Sequence, residues 1–220
     1  VSEVTVPVRI WDIPIRLFHW AIVILLGTSW ITEKQGWMEL HFLAGYSLLA
    51  LLLFRLVWGF VGSQTARFTS FLRNPLAVLR YILRLHRRGP DTELGHNAAG
   101  GWMVLVMLVL LAVQVGTGLC ANDDGINEGP LFDYVGKEWS DWLSHIHAVN
   151  FSLIQIMVSL HVLAVIAYAL VKKHDLVRPM VTGVKRLPSG TTAPRIGNPL
   201  LALLLFAIAV AAVAVLVSWV

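Results

Sequence analysis

Eight histidines stand in this chain of 220 residues, and four of them lie at informative depths within long apolar runs, where an ionisable side chain is costly enough to mark a working site. His19 lies early in a run over 14–33, and His41 early in a run over 38–60. A third run, over 142–170, carries both His147 and His161. On an α-helix their fourteen-residue separation is about 21 Å of rise and only about 40° of azimuth. One helix therefore presents two imidazoles on one face at two depths. With successive spans running in opposite directions, His41 pairs with His147 at one depth and His19 with His161 at the other.

Two imidazoles facing each other across helices are what a six-coordinate haem b requires, the porphyrin supplying the other ligands. A protein zinc site wants three or four protein ligands, and the second pair has no Cys or carboxylate near it. It has arginine instead. Arg55 follows His41 by fourteen residues on nearly the same face, and Arg16 precedes His19 by one turn. Guanidinium repels a bare metal ion but pairs with carboxylates such as haem propionates. Gly45, one turn after His41, lets a flat group lie close to its helix. A rival for the first pair is a surface metal held by Glu39, His41, Asp141, His145 and His147, although His145 and His147 diverge by about 200° on a helix. His96 is placed to relay protons to a quinone or to bind a propionate. His86 and His174 sit in basic segments as solvated side chains. Cys120, the single cysteine, excludes an internal disulfide and any thiolate metal cluster.

The elements that must position these residues are transmembrane helices. Hydrophobic residues make up 57% of the chain, charged residues 14%, and the mean hydropathy is +0.71, against about a quarter charged in soluble domains. Five apolar segments, about 14–33, 38–60, 98–121, 142–170 and 199–219, approach the roughly 20 residues that cross a bilayer. No stretch between them is long enough for a soluble catalytic core. The expected fold is an all-α integral membrane protein. Four of the spans lie within 1–187, and 188–220 forms a linker and a fifth helix. The first segment reads as a span and not a cleaved signal, since no small-residue cleavage site follows it.

Of the 17 Lys and Arg residues, 14 lie before or early in the first span, in 61–97 or in 171–198. The positive-inside rule then places the N-terminus in the cytoplasm and the C-terminus in the periplasm of a bacterial inner membrane. The net charge of +4 reads as topology and attraction to membrane lipid, not nucleic acid, for which no base-reading motif is present. Asn74-Pro75 opens an amphipathic segment over 74–88, with Arg80, Arg84 and Arg87 opposite Leu76, Leu79, Ile82 and Leu83. It reads as a helix lying on the membrane surface. The loop 121–141 carries Asp123, Asp124, Glu128, Asp133, Glu138 and Asp141 against one lysine. It offers a docking face to a periplasmic cytochrome or redox subunit, with a solvated loop and a calcium site at 123–128 as alternatives.

Arg16-Leu17-Phe18-His19-Trp20, His41 with Gly45-Tyr46, Arg55 with Trp58-Gly59-Phe60-Val61-Gly62, Gly95-His96-Asn97, the His147/His161 pair and the ending Asp175–Gly183 together resemble the bacterial cytochrome b561 family. That family includes the di-haem cytochrome b subunits of nickel-iron hydrogenases. The resemblance covers about 9–187. It implies a four-helix bundle with two b haems over 1–187, axial ligation by His19, His41, His147 and His161, and electron exchange with membrane quinone. Arg16, Arg55 and His96 are read as the vicinity of a haem propionate or of the quinone. Gly27-Thr28-Ser29-Trp30 departs from the family's usual Thr-Gly closing of the first span, and the fifth span lies beyond its core. The function expected is electron transfer between a periplasmic partner and the quinone pool, as the membrane subunit of an oxidoreductase complex. A stand-alone superoxide:quinone oxidoreductase is one alternative, and a non-redox anchor or metal-binding membrane protein another. Oligomeric state stays open between a homo-oligomer and a larger complex.

Overall fold

A computed structural model describes residues 4–83 and 93–219. The order of elements is β1 (Thr5–Arg9), α1 (Ile13–Gln35), α2 (Met38–Val61), α3 (Phe68–Phe71), α4 (Pro75–Leu83), α5 (Ala98–Gly118), α6 (Phe132–Val135), α7 (Lys137–Ala167), α8 (Val177–Thr182), β2 (Val184–Pro188) and α9 (Pro199–Ser218). A π-helical turn, Tyr168–Lys172, prolongs α7. Five helices, α1, α2, α5, α7 with its extension, and α9, are long and apolar enough to cross a membrane. Their exposed Leu, Ile and Val side chains suit hydrocarbon as a solvent.

Two boundaries among the described residues differ most from the sequence reading. The third span stops at Gly118 instead of 121, and the chain turns there through bonds from Cys120 N–H to the Thr117 carbonyl and Ala121 N–H to the Gly118 carbonyl. The fourth begins at Lys137, since Gly136 takes a positive φ of 76° and accepts from Ser140 N–H. The amphipathic segment forms α4, with the Asn74 side-chain oxygen accepting from Leu76 N–H at 2.9 Å. Its expected continuation through Arg84, His86, Arg87 and Arg88 lies outside the described residues.

The chain divides into two compact units. The first comprises Val1–Leu17, Leu56–Leu105 and Val158–Ala202. It adds a two-stranded sheet to the all-α architecture expected. β1 and β2 pair antiparallel, Thr5 opposite Pro188 and Arg9 opposite Val184, burying Val8 and Leu187. Beside them Asp12, 3% exposed, accepts from Ile15 N–H at 2.7 Å as the cap of α1 and from the Trp58 indole N–H at 3.0 Å. The segment before α9 is held along the end of α2: Gln64 N–H donates to the Arg195 carbonyl, and Gly197 N–H to Ser63 Oγ at 2.7 Å. A Cβ at Gly197 would stand 2.9 Å from the Trp58 ring.

The second unit comprises Phe18–Arg55, Val106–Met157 and Leu203–Val220. Here α9 lays Phe206 edge-on against Phe54, centroids 6.0 Å apart, and buries Ala209 and Val213. The loop 121–141 closes on itself through an Asn122–Glu128 bridge. Ser140 Oγ donates to the Cys120 carbonyl at 2.6 Å.

Candidate haem-binding sites

Within the second unit, α2 and α7 bring His41 and His147 together, with ring centroids 6.3 Å apart and planes at 69°. Each imidazole is fixed from a neighbouring helix. His41 Nδ1–H donates to the Ser29 carbonyl of α1 and His147 Nδ1–H to the Gln114 carbonyl of α5, both at 2.9 Å. A carbonyl can only accept, so both rings carry their proton on Nδ1 and their lone pair on Nε2, the form that ligates a metal. Two imidazoles bound through Nε2 at about 2.0 Å from one metal have ring centres roughly 6 Å apart. The pair fits bis-imidazole axial ligation. A Cβ built on half-buried Gly45 or Gly27 meets nothing within 4 Å, so neighbouring atoms do not crowd the helix surface at these positions. Gly118 does the opposite: a Cβ there would approach His147 Cε1 to 2.9 Å.

Below this pair α5 and α7 are joined by buried polar groups. The Asn150 amide donates to Gln114 Oε1 at 2.7 Å and to the Leu110 carbonyl at 2.9 Å. In a hydrocarbon environment such bonds fix the mutual register of two helices. Sequence reasoning passed over Gln114, Thr117, Gly118 and Asn150. The rule that flagged the histidines, polar groups inside spans, finds Gln114 and Asn150 as well.

The other site residues are described in their own units. His19, half-buried in α1, stands edge-on to Trp20 at 5.0 Å. Arg55, 3% exposed, lies over the ring of Phe18 at 6.0 Å, next to His19 in sequence. In the first unit His161 is half-buried on α7. His96 sits between aromatic rings, 4.8 Å from Trp11 and 5.1 Å from Phe71. Arg16 donates through Nη1 to the Thr182 carbonyl at 3.1 Å. Among the described residues its buried Nε has no hydrogen-bond partner, a donor suited to an anionic group such as a propionate.

The surface-metal alternative is not supported. Among the described residues no three of His, Cys, Asp or Glu come together as a metal-binding group. Asp141 is engaged by Lys137 Nζ at 2.6 Å and the Asn122 amide at 2.9 Å, and His145 and Glu39 are exposed. The calcium reading of 123–128 fares no better. Asp123 accepts from Gly125 N–H, Asn127 N–H and the Asn127 amide, and Lys137 pairs with Asp124.

Helices long and apolar enough to span a membrane, with the imidazoles of His41 and His147 6.3 Å apart, fit an integral membrane cytochrome of the b type. Residues 10–183 match the family described as prokaryotic cytochrome b561, and the chain belongs to that family. It is a membrane cytochrome b of electron transfer, with haem b as its cofactor. Proteins named "Probable Ni/Fe-hydrogenase B-type cytochrome subunit" are similar to it. That of Bradyrhizobium diazoefficiens is 22% identical, covering 81% of this chain and 86% of its own. That of Azotobacter chroococcum is 25% identical, covering 80% and 87%, and that of Cupriavidus necator 23%, covering 80% and 86%. No solved structure matches the chain.

Proposed function

We propose that this cytochrome binds two b haems and carries electrons between a periplasmic redox subunit and the quinone pool. The observation that carries the reading is the His41–His147 pair, 6.3 Å apart with both Nδ1 atoms tied to carbonyls. His19 and His161 are the ligands assigned to the second haem, on the strength of the fourteen-residue spacing that repeats in α2 and α7. Haem supplies reversible one-electron chemistry to such a site. The chain's own residues do the rest: histidines ligate, Ser29 and Gln114 orient them, and Arg16 and Arg55 offer cationic partners for propionates. Quinone is placed near Arg16 and His96, where an imidazole can take up or release a proton.

The names of the relatives point to a nickel-iron hydrogenase as the class of partner. The loop 121–141 offers that partner Asp123, Glu128, Asp133 and Glu138, all exposed, beyond the carboxylates of Asp124 and Asp141 that Lys137 engages. A face of this charge speeds encounter with a basic surface.

A reduced-minus-oxidised spectrum of the purified protein, with haem measured per chain, tests the wiring. Two low-spin b haems are expected, one lost in His147→Ala and the other in His161→Ala. One haem per chain, or both haems retained in either variant, overturns the assignment.

A further inference from the structure

Two threonines occupy equivalent places beside the His41–His147 pair. In α1, Thr32, 3% exposed, donates its hydroxyl to the Thr28 carbonyl at 2.7 Å and in a weaker branch to the Ser29 carbonyl at 3.2 Å. In α5, Thr117, 7% exposed, donates in the same way to Val113 at 2.7 Å and Gln114 at 3.1 Å. Ser29 and Gln114 are the two residues whose carbonyls receive the Nδ1–H of His41 and His147. A threonine bonding back along its own helix is ordinary. Here the device appears twice, each time three residues after the carbonyl that orients a histidine.

We infer that Thr32 and Thr117 are positioning residues that set the donor strength of His41 and His147, and thereby the reduction potential of the haem those histidines hold. The inference rests on the reading that they are axial ligands. A carbonyl shared by two donors offers less electron density to each. A hydroxyl on Ser29 or Gln114 therefore weakens the bond from the imidazole N–H and leaves the ring less like an imidazolate. A less basic ligand stabilises ferric iron less, so the threonines raise the potential. Thr32 acts in this sense alone. Thr117 Oγ also lies 3.2 Å from His147 Nδ1, where it accepts part of the same proton and offsets its own effect.

The test is a spectroelectrochemical titration, with low-temperature electron paramagnetic resonance, of the purified haem-loaded protein and of Thr32→Val, Thr32→Ser and Thr117→Val. Valine keeps the shape and removes the hydroxyl; serine keeps the hydroxyl. Thr32→Val is expected to retain both haems. The reduction equilibrium constant of one haem falls roughly fivefold, the size of one ordinary net hydrogen bond, and the low-spin signal of that haem shifts. The other haem stays unchanged, Thr32→Ser restores the original potential, and Thr117→Val shifts it less. An unchanged potential and signal in Thr32→Val with full haem content overturns the inference. So does a loss of haem in Thr32→Val that Thr32→Ser shares, since that marks packing and not donor strength. The underlying reading fails differently: His41→Ala or His147→Ala would then leave haem content and spectrum unaltered.

Discussion

At the scale of single residues, Gly118 fixes how closely α5 can approach the imidazole of His147. A Cβ there would meet Cε1 at 2.9 Å and Nδ1 at 3.2 Å, so Gly118→Ala must push the ring off its bond to Gln114. Alanine is otherwise favourable in a helix, by about 0.5–1 kcal/mol over glycine, so α5 itself loses nothing. We expect the variant to fold and insert, to keep the haem proposed for His161, and to lose the one proposed for His147 or convert it to a high-spin form. Haem content and the low-spin signal of the purified variant check this. Retention of two low-spin haems would show that the ring has another place to go. The four histidines were legible in the sequence because ionisable groups in apolar runs stand out by type and by spacing. Their acceptors were not. Ser29 and Gln114 act through backbone carbonyls, which every residue type supplies, and Gly118 acts through an absence of atoms that only a neighbouring helix makes meaningful.

At the scale of elements, the turn over 123–127, within the loop between α5 and α7, is organised by one carboxylate. Asp123 gathers bonds from Asn127 and Gly125, and these hold its carboxyl below the ordinary carboxylate pKa. A depressed pKa in the folded loop means stabilisation that is present above the unfolded value, about 3.9, and lost as pH falls through the folded one. Protection of the Gly125 and Asn127 amides from hydrogen exchange should therefore hold from neutral pH down to about pH 4 and decline below it. In Asp123→Ala it should be low throughout. Protection that persists in the alanine variant would assign the order to the Asn122–Glu128 bridge instead. The spans and the start of α4 were legible because apolar runs of bilayer length and an Asn-Pro pair each carry a local signal. The β1–β2 pair carried none. Its strands are five residues long, each contains a proline, and their partners lie at opposite ends of the sequence. Asp12 was hidden for a related reason: capping α1 is local, but the Trp58 indole it accepts from is 46 residues away.

At the scale of the whole molecule, charge is distributed by segment and not by residue. The segments 61–97 and 171–198 hold most of the basic side chains, while 121–141 is acidic. The positive-inside rule depends on such local excess and not on net charge, and Lys185, buried with its Nζ donating to the Glu93 carbonyl at 2.8 Å, belongs to the basic segment that sets the bias. By that rule the acidic loop is expected on the periplasmic side, the side that the redox subunit proposed above requires. Two exposed positions distinguish the sides. Ile126, 95% exposed at the tip of the acidic loop, and Ser189, exposed just after β2, are each replaced by cysteine in a background where Cys120 is serine. A membrane-impermeant thiol reagent applied to spheroplasts should label Ile126→Cys at once and Ser189→Cys only after the membrane is opened. The reverse pattern would turn the molecule over. The carboxylates of the loop would then face the cytoplasm, the pair His41–His147 would lie on the inner side, and a periplasmic donor could no longer be the partner that this loop receives.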